Sequence, residues 1–203
     1  MQNAFFNRND LFYTSIGGGE IPETWWSRGY EYPWASMYAL PGMIVADMGA
    51  GWHERPFKHY LASICNEVYA VDIHPEFPKL NEERPFPSNL HAVVADMATV
   101  ELPPLDIVFC ISVFEDLGDL KLKALENFHK LLKRGGKVVI TFDCQYDMGK
   151  PLGKYPGVTL EEFKDNAYEA GFSQTTPWSD EKQNAVFHEG FNLCVYHAVL
   201  EKK

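Results

Sequence analysis

Three acids close three apolar runs, and the first acid is followed by a glycine turn. Asp47 ends Met43-Ile44-Val45-Ala46, Asp72 ends the run from Glu67, and Asp96 ends the run from Leu90. After Asp47 the chain reads Met48-Gly49-Ala50-Gly51, so one acid and two glycines stand at alternate positions. Glycine lets a backbone turn tightly and lets a ligand come close to it. An acid after the second strand of a nucleotide-binding α/β unit can accept both hydroxyls of a ribose. A solvent-facing strand-end carboxylate is the competing reading of Asp72. Acid, glycine turn and acid, in this order, point to a nucleotide-like ligand beyond the carboxyl ends of a sheet.

The elements that must carry these residues alternate between strand and helix. Pro41-Gly42 and the glycine turn bound the first strand, and Pro56 suits the first turn of a helix. Phe57, Tyr60, Leu61 and Ile64 then repeat at helical spacing. Residues 74–89 hold four prolines, which predicts a loop with a short helical piece. Leu105–Ile111 is a near-continuous apolar run suited to the middle of a parallel sheet. Asp119 is expected to cap a helix through about Leu132, with Leu122, Leu125, Phe128 and Leu132 inward and Lys133-Arg134-Gly135-Gly136 ending it. A fifth strand is read over Lys137–Phe142, and Thr159-Leu160-Glu161-Glu162 is a capping box opening a helix that stops at Gly171. Sixth and seventh strands are read near Phe172–Trp178 and Asn192–Glu201. The link Ser179–Gly190 is too short for a crossover helix and fits an antiparallel hairpin. The expected class is α/β: a doubly wound, seven-stranded, mostly parallel sheet with an antiparallel last strand and helices on both faces.

The 203 residues fit one domain, with an aromatic-rich segment 1–41 ahead of the motif-bearing residues 42–203. Ten rings fall in that first segment, around Gly17-Gly18-Gly19. They read as a packing layer, with a few of them as a lid over a substrate cavity. A net charge of −10 disfavours a nucleic-acid surface, which needs clustered Lys and Arg. Cys65, Cys110, Cys144 and Cys194 form no CxxC pair and no zinc-ligand spacing, and the histidines show no ligand spacing, so no metal is expected. No apolar run is long enough to span a membrane, and a reducing, cytoplasmic setting is expected.

The pieces VADMGAG, VYAVDIHP, VVADMAT, LDIVFCISVFEDL and LLKRGGKVVITFD, spread over residues 43–143, resemble the class I, Rossmann-like S-adenosylmethionine-dependent methyltransferases in order and spacing. Ser27–Trp34 also resembles a segment ahead of the first strand in bacterial members, including ones linked to surface polysaccharides. The resemblance implies S-adenosyl-L-methionine as cofactor and a methyl acceptor at oxygen or nitrogen, a small molecule or sugar-type metabolite. It implies that Asp47, Gly49, Ala50 and Gly51 surround the aminoacyl part of the cofactor. Asp72 would take the ribose hydroxyls, with Ile73 on the adenine. Asp96 would receive the adenine amino group while Met97 offers a backbone amide, and Ile111 and Ser112 would line the site near the methyl. Arg28 is a candidate for the cofactor carboxylate, or for an ordinary surface ion pair.

Two departures stand out. His53 replaces a third glycine and Trp52 beside it is bulky; within Glu115-Asp116-Leu117 the second position is often histidine in related members. An oxygen or protonated-amine nucleophile needs a proton acceptor, for which Asp143, His188 and His53 are candidates. A loop-capping Asp143 and an exposed loop His188 are the structural alternatives. An NAD-dependent oxidoreductase shares the broad fold, but its GxGxxG is broken by Glu54 at the third glycine. A non-catalytic S-adenosylmethionine-binding protein remains the alternative of another class.

Overall fold

The apolar runs form the centre of one twisted sheet in the computed structural model, which describes residues 2–51, 55–79, 85–147, 149–150 and 157–203. The motif strands are β4 (Ile44–Met48), β5 (Glu67–Asp72), β6 (Leu90–Val94), β7 (Leu105–Ile111) and β8 (Leu132–Gln145). They lie parallel in the order β8-β7-β4-β5-β6. The last strand, β11 (Leu193–Glu201), runs antiparallel along β8, pairing Leu193 with Gln145 and Glu201 with Lys137. The fold is therefore the mixed, mostly parallel Rossmann-like α/β sheet that the sequence predicts.

The strand count differs at one edge. The predicted sixth strand shrinks to β9 (Ser173–Gln174), which shares the outer edge of β11 with β1 (Ala4–Phe5) and β10 (Phe187–His188). The backbone N–H of Asn3 donates to Thr176 Oγ1 and its side-chain amide to the Thr176 carbonyl, so the N-terminal segment occupies the place where that strand would continue. Pro177 offers no ladder donor there. The remaining strands, β2 (Ser15–Ile16) and β3 (Gly19–Glu20), make a separate hairpin across Gly17-Gly18.

Two helix boundaries also move. Asp119 caps nothing: it lies in a 3₁₀ segment over Phe114–Leu120 that breaks at Gly118, whose φ is +53°. The helix after it spans Lys121–Leu131 (α3). Strand β8 begins at Leu132, so the Lys133–Gly136 stretch is a bulge in a strand, with the register jumping between Leu105 and Ile107 opposite it. The other helices follow their signals. These are α1 (Arg28–Ser36), α2 (Pro56–Ile64, with proline in its first turn) and α4 (Leu160–Glu169), where Thr159 Oγ1 accepts from the Glu162 N–H at 3.1 Å. Trp52–Glu54 and the middle of the 74–89 crossover lie outside the described residues.

Alternation along the strands divides the core between two faces. Val138, Ile140, Phe142 and Tyr196 meet α3 and α4 through Phe128 and Phe163. Val45, Phe109, Val139 and Val195 meet α1 and α2 through Tyr32, Trp34, Phe57 and Leu61. By the same alternation Thr141 and Asp143 fall on the α1 side of β8. All four cysteines are buried and free. Among the described residues no helix is long and apolar enough to cross a membrane.

Candidate active site

Strand β4 ends in a turn that needs glycine twice. Gly49 and Gly51 have φ of +75° and +77°, where a side chain is strained. Space excludes one as well: a Cβ on Gly49 would lie 2.6 Å from Val113 Cγ2. The N–H groups of Gly49 and Ala50 donate to the Val71 carbonyl, tying the turn to β5. The Lys58 ammonium, 0% exposed, donates to the carbonyls of Ala50 and Gly51 at 3.3 and 3.4 Å. Asp47 is buried, and that burial, set against Lys58 and Arg55, lifts its pKa to about 6.

Asp72 ends β5 with both carboxylate oxygens oriented. Oδ2 accepts from the Gly51 N–H at 2.8 Å and Oδ1 from the His74 N–H at 2.9 Å. A carboxylate oxygen can accept two hydrogen bonds, so each retains capacity for another donor.

The opposite wall comes from β7, β8 and α1. Ser112, just past β7, has φ +47°, uncommon for a residue with a side chain. Hydrogen bonds to three residues hold it there. Its N–H donates to Thr141 Oγ1, its hydroxyl to Glu31 Oε1 at 2.7 Å, and its carbonyl accepts from Arg28 Nη2 at 3.0 Å. Glu31 is 0% exposed and also accepts from Thr141 Oγ1 (2.7 Å), Ser27 Oγ (3.1 Å) and Arg28 Nη1 (2.6 Å). Burial opposes the Arg28 charge, but Glu31, Tyr32 and Glu115 outweigh it and raise its pKa.

Beside this closed network stand groups left open. Glu115 is 6% exposed, and burial followed by the nearby Asp143 pushes its pKa well above the usual carboxylate range. Burial, then Glu31, lifts Asp143 to about 7. Glu115 Oε2, Asp143 Oδ1, Arg55 Nε and His188 Nδ1 are buried atoms without a hydrogen-bond partner. They are four of the six such side-chain atoms among the described residues, and all four residues line one cleft. Buried polar atoms are normally paired, so their concentration marks where a ligand would complete the bonding.

That cleft has a volume of about 570 Å³, within the range of small-molecule sites. Gly49, Gly51 and Asp72 line it, as do Ser112, Val113, Glu115 and Asp116, then Asp143, His188 and Phe191. Thr24–Arg28 and Arg55 complete the wall. Of the residues singled out in the sequence, Gly49, Gly51, Asp72, Ser112, Asp143, His188 and Arg28 thus meet in one place. Asp47, Ala50, Met97 and Ile111 are buried outside the lining. Asp96 accepts from the Ala98 N–H in a local turn, and Ile73, next to Asp72, is 70% exposed. His53 lies outside the described residues. Sequence reasoning missed Glu31, Arg55 and Glu115 with its partnerless Oε2. A signal for the first exists: Ser27, Arg28 and Glu31 stand at i, i+1 and i+4, a spacing that lets Glu31 meet both.

Residues 46–140 match the family model described as a methyltransferase domain. No match is found among curated protein sequences. Among solved structures the chain is similar to the cyclase SpnF, at 12% identity over 100% of this chain and 87% of that one, with a TM-score of 0.73. It is similar to a TehB-like SAM-dependent methyltransferase from Corynebacterium glutamicum, at 22% identity, covering 85% and 87%, with a TM-score of 0.60. It is also similar to the N-methyltransferase NodS from Bradyrhizobium japonicum in complex with S-adenosyl-l-homocysteine, at 15% identity, covering 88% and 84%, with a TM-score of 0.56. At these identities the likeness to solved structures is one of fold. Family match, sheet order and glycine turn together support a class I S-adenosylmethionine-dependent methyltransferase domain over these residues, with S-adenosyl-L-methionine as its cofactor.

Proposed function

We propose that the protein transfers the methyl group of S-adenosyl-L-methionine to an oxygen or nitrogen of a small-molecule acceptor. The observation that carries this reading is the row of partnerless polar atoms along a cleft that starts at the glycine turn.

The residues fit the cofactor. Gly49 and Gly51 hold the turn at positive φ, and both border the cleft. The spare accepting capacity of Asp72 matches a ribose diol. Ile73 would pack on the adenine, Asp96 would receive its amino group and Met97 would offer an amide. Asp47, Ala50 and the two glycines would surround the aminoacyl end, Arg28 or Arg55 would meet its carboxylate, and Ile111 and Ser112 would stand near the methyl. When bound, the cofactor supplies an electrophilic methyl on a sulfonium, which is a good leaving group.

The chain's own part is position and proton acceptance. Holding an acceptor against the methyl in a near-attack arrangement supplies much of such a catalysis. Asp143, with its pKa lifted to about 7, suits a general base near neutral pH, and His188 is the second candidate. The segment 1–41 would contribute Trp26 to the acceptor end of the cleft, while residues 42–203 carry the cofactor motifs. The net charge of −10 argues against a nucleic-acid acceptor, and four free thiols accord with a reducing, cytoplasmic setting.

Likeness to a protein named a cyclase favours a second reading, in which the chain binds the cofactor without methylating. Incubation with methyl-labelled cofactor and small amines and alcohols separates the two. The first reading predicts an acceptor heavier by one labelled methyl. Cofactor binding with no label on any of these acceptors supports the second.

A further inference from the structure

The cleft crosses the point where the sheet order reverses. From β4 the chain steps out to β5 and β6, then returns to β7 on the other side of β4 and continues to β8. The glycine turn and Asp72 belong to the first side; Glu115, Asp143 and His188 belong to the second. Asp72 ends β5 and Asp143 lies near the carboxyl end of β8, three strand spacings away, roughly 14 Å. They cannot serve the same hydroxyls, which leaves the part of the second side beyond Ser112 for a second molecule.

Its chemistry is acidic and aromatic. Glu115 Oε2 and Asp143 Oδ1 are bare acceptors, and Glu115 is more than nine-tenths buried. Asp116 lines the same stretch. Rings wall it: Trp26 meets His188 edge-on at 5.6 Å, and His188 stacks on Phe191 at 3.8 Å. The nearby cation, Arg28, is engaged by Glu31 and the Ser112 carbonyl. Arg55 stands over Trp25 and against Gly51, on the glycine-turn side.

We propose, resting on the methyltransferase reading above, that the acceptor is a small amine. It is held as its cation by Glu115 and Asp143 against the rings of Trp26 and Phe191, and Asp143 takes its proton. An anionic acceptor would meet like charge here. An alcohol would leave a buried carboxyl pair without a counter-charge, whereas an ammonium supplies both donors and charge and is attracted to ring faces. Burial, then the charge of Asp143 on Glu115 and of Glu31 and Asp116 on Asp143, eased by Arg28, hold both carboxyls toward their protonated forms, a condition that a cation relieves. In the proton step an N–H bond breaks as an O–H bond forms on Asp143, which leaves a neutral amine with a free lone pair. That pair then forms the N–CH₃ bond. The electrons of the broken S–CH₃ bond stay on sulfur, and the positive charge passes to nitrogen.

The test is calorimetry on protein saturated with S-adenosylhomocysteine, titrated with phenethylamine (an ammonium at pH 7) and with 2-phenylethanol. The amine is expected to bind at least about tenfold more tightly. Glu115→Gln and Asp143→Asn should each erase most of that preference while S-adenosylhomocysteine affinity is kept, which also reports folding. Should either variant fail to fold, the comparison of the two probes on the unaltered protein stands alone. Equal affinities, no amine binding at millimolar concentration, or a preference surviving both substitutions would overturn the proposal. Failure of S-adenosylhomocysteine itself to bind would bring down the methyltransferase reading and this one with it. Its binding without amine preference overturns the amine alone.

Discussion

The Ser112 hydroxyl donates a 2.7 Å hydrogen bond to the Glu31 carboxylate across 81 positions of sequence. That bond joins α1, ahead of the motif strands, to the end of β7, and it helps keep Ser112 in its left-handed conformation beside the cleft. Removing the acid strips four donors of their acceptor and leaves the largely buried Arg28 without its carboxylate partner. Glu31→Ala should therefore cost roughly 3–5 kcal/mol in urea unfolding, as breaking a buried pair does. Glu31→Gln, which retains an accepting oxygen, should cost less. Equal losses would show that only packing matters at this position.

The glycine turn makes a sharper forecast. Gly49→Ala adds a methyl to a backbone at φ +75°, 2.6 Å from Val113 Cγ2. Gly18, at φ +78° with nothing within 4 Å, serves as the control, since alanine there meets only backbone strain. The control should lose about 1–2 kcal/mol of stability. Gly49→Ala should lose more, and should also weaken S-adenosylhomocysteine binding, which Gly18→Ala should leave alone. Thermal unfolding and calorimetry on both variants decide it.

Asp143 ties stability to pH. Its pKa rises from 3.8 to about 7 in the folded chain, chiefly through burial. Between those values the folded protein keeps a proton that the unfolded chain has lost. This group therefore lowers stability as pH rises from about 4 to about 7, and its full cost is present above that. Asp143→Asn removes the dependence. Relative to the unaltered protein, the variant should gain roughly 2–4 kcal/mol between pH 4 and pH 8 in urea unfolding, while losing methyl transfer. A stability difference that stays constant with pH would contradict the assignment.

The N-terminus should act as a structural strand. Asn3 is buried; its side chain accepts from the Val199 N–H at 2.9 Å, and its carbonyl accepts from the Tyr196 hydroxyl at 2.8 Å. Asn3→Ala leaves the Val199 N–H unpaired and should cost about 1–3 kcal/mol by chemical denaturation. An unchanged midpoint would mean that β1 is dispensable.

What the sequence revealed, and what it hid, follows from the range of the interactions. Asp47-x-Gly49-x-Gly51, the proline opening α2 and the Thr159 cap are local, and each formed where its residues said. The run from Phe172 carried strand-like residues, but its partner edge was taken by Asn3 and Ala4, far away in sequence. Asp119 looked like a helix cap because the 3₁₀ segment ending at Leu120 has no periodic signature. Asp143 and His188 could be named as proton acceptors from type alone, yet their place beside Glu115 needed the full sheet. Glu31 was hidden for the same reason: its meaning lies in Ser112 and Thr141, which meet it only after β7 and β8 pair.

Calorimetric titration of the protein with S-adenosylhomocysteine, beside Asp72→Ala and beside NAD, tests the account most directly. Asp72 is held by the Gly51 and His74 N–H groups and, in the proposed role, would receive two ribose hydroxyls, each through a charge-assisted bond. The unaltered protein should bind the ligand, and Asp72→Ala should lose on the order of 1.5–3 kcal/mol, roughly ten- to a hundredfold in affinity. NAD should not bind. Binding of NAD in place of S-adenosylhomocysteine, or binding that is indifferent to the loss of Asp72, would contradict it.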